Sequence, residues 1–277
     1  SETYHDDTVC FYSGGIDSTY CISKLYEENN PPSLLTVHGM DYSLENEKSF
    51  SDFMQKTTPF AEKYGDKRFF IKTDAYDVYQ KYKVNKNHHH VTHIFALAGC
   101  GFLFSGYFKE IVIASDDRLD QQFMSYPYGS NSATNYLFDD GITSLKTKND
   151  DITRSEKLPS CLNSDSILNS LTFCPNKESQ PENCGVCKKC TRTKLMFLAS
   201  TGTIPDIFMS KEISKNYLTS ININKTAEQI FILDLYHTAK KNNRLDLIPD
   251  LEKAKKSIIK LALKNKRFNK FKKFFLR

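Results

Sequence analysis

The sequence predicts an α/β protein built on a doubly wound parallel sheet. Short runs of apolar and β-branched residues alternate with longer segments in which apolar residues recur at helical spacing. This alternation is typical of parallel strands joined by helical crossovers, which cover both faces of the sheet. Right-handed crossovers make the sheet doubly wound, and because its strands are parallel, their carboxyl ends lie at one edge, where such sheets bind ligands.

The first half of the chain contains the clearest elements. Short apolar runs predict buried strands at residues 8–12, 33–39, 69–72 and 111–114. Apolar residues at three- and four-residue spacing predict helices at residues 19–29, 41–65 and 93–108. The last helix is apolar on nearly all sides, so we expect it to be buried. His93, in its first turn, could face the ligand crevice.

A glycine-rich turn, Ser-Gly-Gly-Ile-Asp-Ser at residues 13–18, joins the first strand to the first helix. Gly14 and Gly15 allow a tight turn and close approach to a ligand. The helix start directs free N–H groups and its positive dipole end at the turn, and Ser13 and Ser18 add hydroxyl donors. These features predict a phosphate site, with an ordinary polar turn as the simpler alternative. No lysine follows the glycines, so this is not the common G-x-x-x-x-G-K-[ST] loop.

Composition indicates a globular protein, with 277 residues of which 26% are charged and 39% hydrophobic. The longest apolar run, residues 94–108, is shorter than the roughly 20 residues that a membrane span needs. No basic and apolar segment of the secretory type opens the chain. We therefore expect no membrane span and a cytoplasmic location.

Basic residues are concentrated at the C-terminal end. Residues 251–277 contain eleven Lys or Arg against one Glu, a net charge of +10, which leaves −5 on the other 250 residues. Helices are predicted at residues 224–241 and from residue 251 onward. A basic amphipathic helix could bind nucleic acid, anionic lipid or an acidic partner. Packing against the core with the lysines outward is the simpler explanation.

Four cysteines form the pattern C-x9-C-x2-C-x2-C at Cys174, Cys184, Cys187 and Cys190. Thiolates at this spacing can surround one metal ion in a closed tetrahedral site, which is typical of structural zinc. An iron–sulfur cluster is the alternative, although no other redox signal flanks the cysteines. The remaining cysteines lie in apolar or isolated settings and are expected to be buried: Cys10, Cys21, Cys100 and Cys161.

The pattern S-G-G-x-D-S between a strand and a helix resembles the PP-loop of the ATP pyrophosphatase superfamily. Together with the cysteine pattern, it is similar to the 7-cyano-7-deazaguanine synthase family. The resemblance covers roughly the first 200 residues. It implies a sheet like that of the adenine nucleotide α-hydrolases. It also implies a PP-loop domain at residues 1–205 that includes a zinc element at 174–190, followed by a helical region with a basic tail at 206–277.

The resemblance further implies an ATP-dependent ligase that forms C–N bonds. Such enzymes adenylate a carboxylate or related oxygen, release pyrophosphate and transfer nitrogen to the activated group. Its implied cofactors are ATP, Mg²⁺ and Zn²⁺, with the four cysteines of the pattern as zinc ligands. The residues implied to bind ATP are Ser13, Gly14, Gly15, Asp17 and Ser18 at the phosphates, and His38, Gly39 and Met40 through their backbone at the adenine.

The polar, turn-rich segment at residues 115–160 is expected to be a long loop that carries functional groups. Carboxylates such as Asp116 and Asp117 suit Mg²⁺, and with Ser130 they are candidates for substrate binding. Arg154 or Lys157 could neutralise charge on departing pyrophosphate and, with Asp17 and Ser18, are the candidate catalytic residues. A solvated loop with mutually paired charges is the alternative.

The sequence does not identify the partners or the substrate. The acceptor could be a small molecule or a macromolecule, and relatives of this kind are often homodimers. Two other functions fit the same motifs. One is a tRNA-modifying enzyme that performs thiolation or a related reaction, which the basic tail favours. The other is a protein that binds ATP and zinc without catalysis.

Overall fold

A parallel sheet is the centre of the fold in the computed structural model of the chain, which describes residues 6–81 and 89–264. Within these residues the sheet has five strands in the order β3-β2-β1-β4-β5, each parallel to its neighbours. The strands are β1 (Asp6–Phe11), β2 (Ser33–His38), β3 (Arg68–Lys72), β4 (Phe108–Ala114) and β5 (Ser144–Lys148). The predicted α/β class and parallel sheet are confirmed.

The strand order reverses between β1 and β4. From β1 the chain builds outward to β2 and β3, then returns to place β4 and β5 on the opposite side of β1. Loops that leave β1 and β4 therefore diverge and leave a crevice beyond the carboxyl ends of these two strands. This crevice is the place where a parallel α/β sheet binds its ligand.

Helices connect and flank the strands. In chain order they are α1 (Ile16–Glu27), α2 (Glu47–Tyr64), α3 (Ala75–Lys81), α4 (His89–Phe102), α5 (Leu119–Ser125), α6 (Ser132–Asn135), α7 (Arg154–Cys161), α8 (Asp165–Leu168), α9 (Lys188–Thr201), α10 (Tyr217–Ser220), α11 (Thr226–Lys241) and α12 (Leu251–Lys264). A short 3-10 helix at Leu245–Leu247 precedes α12.

Two elements differ from the sequence prediction. The expected long loop at residues 115–160 was wrong, because the segment contains α5, α6, β5 and the start of α7. β5 is an edge strand in which Leu145 is buried and Lys146 is exposed, so its sequence is too polar to be recognised as a buried strand. The helix expected at 93–108 ends at Phe102, and it leaves the Phe95 side chain 58% exposed rather than fully buried.

Hydrophobic residues cover the two faces of the sheet as separate clusters. On β4, Val112 belongs to one cluster while Ile111 and Ile113 belong to the other, because successive strand side chains point to opposite faces. One face packs against α4 through Ile94 and Ala98. The other carries the larger cluster, to which α1, α7, α9, α11 and α12 contribute. The sheet is therefore covered by helices on both faces.

The larger cluster also spans the predicted domain boundary at residue 205. Phe197 of α9 and Phe231 and Leu235 of α11 belong to the same buried cluster, so the helical region does not have a separate core. The densest part of the predicted basic tail, residues 265–277, lies outside the described residues. No helix within the described residues combines the length and the apolar character that crossing a lipid bilayer requires.

Phe60 tests the packing beneath the first strand. Its ring is fully buried and stacks on Tyr12 and Tyr64, with centroids 5.1 and 4.9 Å away. We expect Phe60→Ala to lower the free energy of unfolding by about 3–5 kcal/mol, since it removes buried aromatic surface and leaves a cavity. Phe70→Ala, which truncates a ring that is 57% exposed, should cost no more than about 1 kcal/mol. Urea unfolding of both variants measures the difference, and equal losses would contradict this packing.

Candidate functional site

A large cavity lies beyond the carboxyl ends of β1, β2 and β4. Its volume is about 1320 Å³, and its lining includes Ser13 after β1, Val37 in β2 and Asp116 after β4. Pockets for one small ligand commonly measure roughly 300–1,000 Å³, so this cavity has room for more than one reactant. It coincides with the crevice that the reversal in strand order creates.

The glycine turn forms part of the cavity floor. Gly14 has a φ of +71°, and a Cβ at this position would lie 2.5 Å from the Thr172 side chain, so only glycine fits. Its carbonyl accepts a hydrogen bond from the Thr172 N–H at 2.9 Å. Gly14 therefore sets the conformation of the turn, while Ser13 and Gly15 border the cavity itself.

The start of α1 presents hydrogen-bond donors to the cavity. The helix begins at Ile16, and Gly15 at its N-cap provides no side-chain cap, so the N–H groups of the first turn are available to an anion. The Ser18 hydroxyl donates to the Gly15 carbonyl at 3.2 Å, and the Ser13 N–H donates to the Ser18 oxygen at 3.3 Å. These contacts hold the turn in a concave shape around its exposed donors.

Asp17 joins α1 to α7 through two ion pairs. One carboxylate oxygen lies 2.8 Å from an Arg154 guanidinium nitrogen, and the other lies 3.0 Å from the Lys157 ammonium. The same arginine also reaches Asp116 at 3.1 Å. Residues from the first helix, the end of β4 and the seventh helix therefore converge at the glycine turn. Sequence spacing alone does not place these residues together.

The cations keep Asp17 ionised. Burial opposes the charged form of this carboxyl, but the neighbouring Arg154 and Lys157 outweigh burial and lower its pKa. An ionised, doubly paired Asp17 has little charge left to hold a metal ion. Its geometry instead suits a residue that positions a phosphate-binding group, here the Arg154 guanidinium.

The two predicted basic residues occupy different places. Arg154 lines the cavity and is about one-third exposed, whereas the Lys157 side chain is fully buried and lies outside the cavity lining. The Lys157 ammonium donates to the Ser115 carbonyl at 2.5 Å as well as to Asp17. Arg154 can therefore touch a bound ligand directly, while Lys157 acts from behind Asp17.

The predicted substrate residues Asp116 and Ser130 also line the cavity. Asp116 accepts a hydrogen bond from the Tyr128 hydroxyl at 2.7 Å, and the Asp116 charge raises the pKa of that hydroxyl. The Ser130 hydroxyl is paired with the His93 ring nitrogen Nε2 at 2.8 Å. Tyr128 was not singled out from the sequence, because a tyrosine in a turn carries no pattern of its own.

The predicted adenine segment, residues 38–40, reaches the cavity only in part. His38 is buried, its ring stacks on Phe50 with centroids 4.0 Å apart, and its Nε2 is paired with the Ser43 carbonyl at 3.0 Å. The Gly39 N–H donates within the turn, to the Tyr42 carbonyl. Of the predicted segment 38–40, only Met40 is among the residues that line the cavity, where it is joined by Val37.

Asp117 is a cavity carboxylate whose charged form is disfavoured by its surroundings. It lines the cavity, and none of the described cations lies within ion-pair distance of it. Burial raises the pKa of Asp117 to about 6, and the neighbouring Asp116 adds to this effect while Arg154 opposes it. Such a carboxyl binds a proton or a cation readily near neutral pH.

Helices α9 and α11 form the far wall of the cavity. They contribute three cations, Lys188, Lys189 and Arg192, and an apolar surface that includes Met196, Ile230 and Phe231. The Arg192 guanidinium lies over the Phe231 ring at 4.8 Å, and Lys188 and Arg192 both pair with the buried Glu228. No local sequence pattern indicates this wall, since it depends on how the C-terminal region packs back onto the site.

The four predicted cysteines come together next to this wall. Their sulfur atoms all lie within 4.8 Å of one another, with Cys174 3.8 Å from Cys187 and Cys184 4.0 Å from Cys190. Thiolates about 2.3 Å from one zinc ion at tetrahedral corners are roughly 3.8 Å apart, so the set fits a single ion. A four-iron cluster would separate the sulfurs further, since each binds a different iron.

Local backbone geometry explains how the cysteine turn forms. Gly185 has a φ of +78°, and a Cβ there would lie 2.0 Å from the Ser210 carbonyl oxygen. The Cys187 sulfur accepts a hydrogen bond from the Cys190 N–H at 3.4 Å and so caps α9. The helix that lines the cavity therefore begins at the cysteine site.

Comparison of the sequence with known proteins and protein families found no match. No protein-family model matches the sequence, and no curated protein matches it at a significant level. Any function must therefore be inferred from the residues and their geometry.

Asp117 provides a test by pH. Its folded pKa of about 6 exceeds the value of about 3.9 in an unfolded chain, so the native state binds more protons between these values and stability falls as pH rises through them. We expect Asp117→Asn to raise the free energy of unfolding by roughly 2 kcal/mol at pH 8 and by little near pH 4. The exposed Asp246→Asn is the control. Urea unfolding at both pH values measures the effect, and an equal gain at both would contradict it.

The cysteine site provides a test by metal analysis. We expect the purified protein to hold one zinc ion per chain and Cys190→Ser to lose it, because the remaining three thiolates no longer close the site. The melting temperature should then fall by roughly 10 °C, since the metal stabilises only the folded chain. Cys100→Ser, at a buried cysteine outside the set, should retain the zinc. Equal zinc content in both variants would exclude this site.

Proposed function

We propose that the chain is a PP-loop ATP pyrophosphatase that adenylates an acceptor and releases pyrophosphate. The proposal includes a sheet of the adenine nucleotide α-hydrolase type, which the parallel topology is consistent with. The acceptor oxygen belongs to a carboxylate or a related group, and nitrogen transfer to the activated acceptor completes a C–N ligase reaction. The observation that carries the proposal is the pairing of Asp17 in the glycine turn with Arg154 at the cavity edge.

This pairing supports phosphate chemistry for an electrostatic reason. Arg154 is held by Asp17 and Asp116 with its guanidinium at the cavity surface, 2.8 and 3.1 Å from their oxygens. A guanidinium fork of fixed orientation suits phosphate oxygens, which it can bind through two hydrogen bonds at once. The positive charge of Arg154 therefore lies beside the turn where the triphosphate would bind.

The glycine turn would hold the phosphates that leave. Ser13 and Ser18 offer hydroxyl groups, and the first turn of α1 offers N–H groups with the positive end of the helix dipole. These donors stabilise negative charge that grows on pyrophosphate as its bond to the α-phosphate breaks. Arg154 adds a full positive charge at the same place. Lys157 keeps Asp17, and through it Arg154, in position.

Two metal ions belong to the proposal. Asp116 and Asp117 are the carboxylates that would hold Mg²⁺, which supplies further charge neutralisation on the triphosphate when bound. The raised pKa of Asp117 is consistent with this role, because a nearby cation would relieve the cost of ionising it. Zinc at the four cysteines would be structural, since four thiolates leave no open position for a reactant.

The two ends of the cavity suggest where the reactants bind. Val37 and Met40 offer an apolar place for adenine beside the glycine turn, as the backbone at this strand end does in the resembling superfamily. The wall formed by α9 and α11 remains for the acceptor. Its mixture of Arg192, Phe231 and Ile230 suits a ligand with both a polar group and an apolar surface.

A pyrophosphate-release screen tests the reaction directly. Purified protein with ATP and Mg²⁺ is offered deazaguanine carboxylates, other carboxylic acids, peptides and tRNA, each with ammonia. Release that depends on one acceptor class, with AMP as the other nucleotide product, supports the proposal and identifies the class. ATP that binds but yields no pyrophosphate with any acceptor would favour a non-catalytic nucleotide-binding protein.

Arg154 is the residue whose loss should be most informative. We expect Arg154→Ala to lower the kcat of pyrophosphate release by about 10²–10³-fold, because charge on the leaving group loses its strongest partner. Arg154→Lys should lower kcat less, since lysine keeps the positive charge but lacks the two parallel N–H donors of the guanidinium. Arg118→Ala, an exposed arginine paired with Asp120, is the matched control and should retain kcat within about twofold. A kcat for Arg154→Ala above half of the wild-type value would contradict the assigned role.

A further inference from the structure

A buried carboxylate in the C-terminal region contacts the helix that carries Arg154. Asp234 of α11 is 7% exposed, and one of its oxygens accepts hydrogen bonds from the Ser155 N–H at 3.2 Å and the Ser155 hydroxyl at 2.7 Å. Its other oxygen lies 3.4 Å from the Thr238 hydroxyl. Ser155 directly follows Arg154, so Asp234 contacts the residue next to the cavity guanidinium.

The contact stabilises the start of α7 at the backbone N–H of Ser155. Ser155 is the second residue of this helix, and its N–H has no partner within the helix. A carboxylate there supplies the missing acceptor and interacts favourably with the positive end of the helix dipole. The N-cap residue Thr153 uses its own side chain in a capping box with Glu156, so Asp234 satisfies a different N–H group.

The first turn of α7 therefore lies between two anchors. On the cavity side, Arg154 is paired with Asp17 and Asp116. At the next residue, Ser155 is bonded to Asp234, which also borders the cavity. A second bridge between the same helices, from Lys241 to Glu156 at 3.0 Å, lies at the surface and is expected to contribute little.

We propose that Asp234 is a positioning residue that holds the start of α7, and with it Arg154, in the orientation that binds the phosphates of ATP. This inference rests on the proposed function for the identity of the ligand. The residues that carry the family resemblance all lie before residue 200, so this role belongs to a part of the chain that the resemblance does not cover. Helix α11, in the C-terminal region, thereby completes the site rather than forming an appendage.

A double-mutant cycle on ATP affinity tests the inference. Calorimetry measures the dissociation constant of ATP with Mg²⁺ for the wild type, Arg154→Ala, Asp234→Asn and the double variant. We expect about a tenfold weakening for Arg154→Ala and about fivefold for Asp234→Asn, since charge-assisted contacts to phosphate are lost or misaligned. The double variant should bind within about 1.5-fold of Arg154→Ala, because Asp234 acts only through Arg154. If the loss of affinity in the double variant equals the product of the two single losses, the inference is overturned.

A matched control separates positioning from general loss of packing. Glu228 is also a buried carboxylate of α11, but it pairs with Lys188 and Arg192 of α9 and not with α7. Any effect of Glu228→Gln should multiply with that of Arg154→Ala. Ser155→Ala is the second variant, which keeps both charges and removes only the hydroxyl contact. It should weaken ATP binding about twofold, again with no further effect in the Arg154→Ala background.

Hydrogen exchange tests the anchoring of α7 by Asp234 without relying on ATP binding. In Asp234→Asn, amides of residues 154–158 should exchange faster, because the first turn of α7 loses its anchor. The amides of α1 serve as the internal reference and should exchange as in the wild type. If the wild type binds no ATP, the proposed function fails, but the exchange rates of the α7 amides still show whether Asp234 anchors this helix. Unchanged exchange in α7 would overturn the inference on its own.

Discussion

The pairing of Asp17 with Arg154 and Lys157 is the interaction on which the rest of the site depends. A carboxylate buried at the edge of the sheet would be costly alone, and two cations from one helix compensate it. In return, the pair fixes α7 against the glycine turn, although the two segments lie far apart in the chain. Removal of Asp17 would take away the carboxylate that pairs with the buried Lys157 ammonium, so the turn and the helix depend on each other for their arrangement.

Helix packing extends this constraint across the molecule. α7 lies between α1 and α9 within the larger hydrophobic cluster, and α11 packs on both α7 and α9. The position of Arg154 therefore depends on buried surface that the C-terminal region supplies. A cavity whose floor comes from the first strand and whose far wall comes from α11 cannot form until most of the chain has folded.

The cysteine site is coupled to the same cavity. Cys187 caps α9, and the next residues of that helix, Lys188 and Lys189, line the cavity. A metal ion at the four thiolates would hold the start of α9 rigidly, since it ties Cys174 to the turn at Cys184–Cys190. The cysteine site and the cavity are therefore neighbours, and loss of a metal ion bound there is expected to loosen the far wall before it affects the sheet.

Elements that depend on local patterns could be predicted from the order of the residues alone. Apolar runs marked the first four strands, and the glycine turn and cysteine spacing marked their sites, because these signals come from neighbouring residues. The edge strand β5 was missed, since one buried side chain in five leaves no periodic signal. Three features follow from the packing of the folded chain instead. Arg154 reaches the cavity while Lys157 lies buried, and α11 contributes Asp234. Val37 lines the cavity while His38 packs on Phe50. Such outcomes depend on which helix faces meet across the chain, and no local pattern records them.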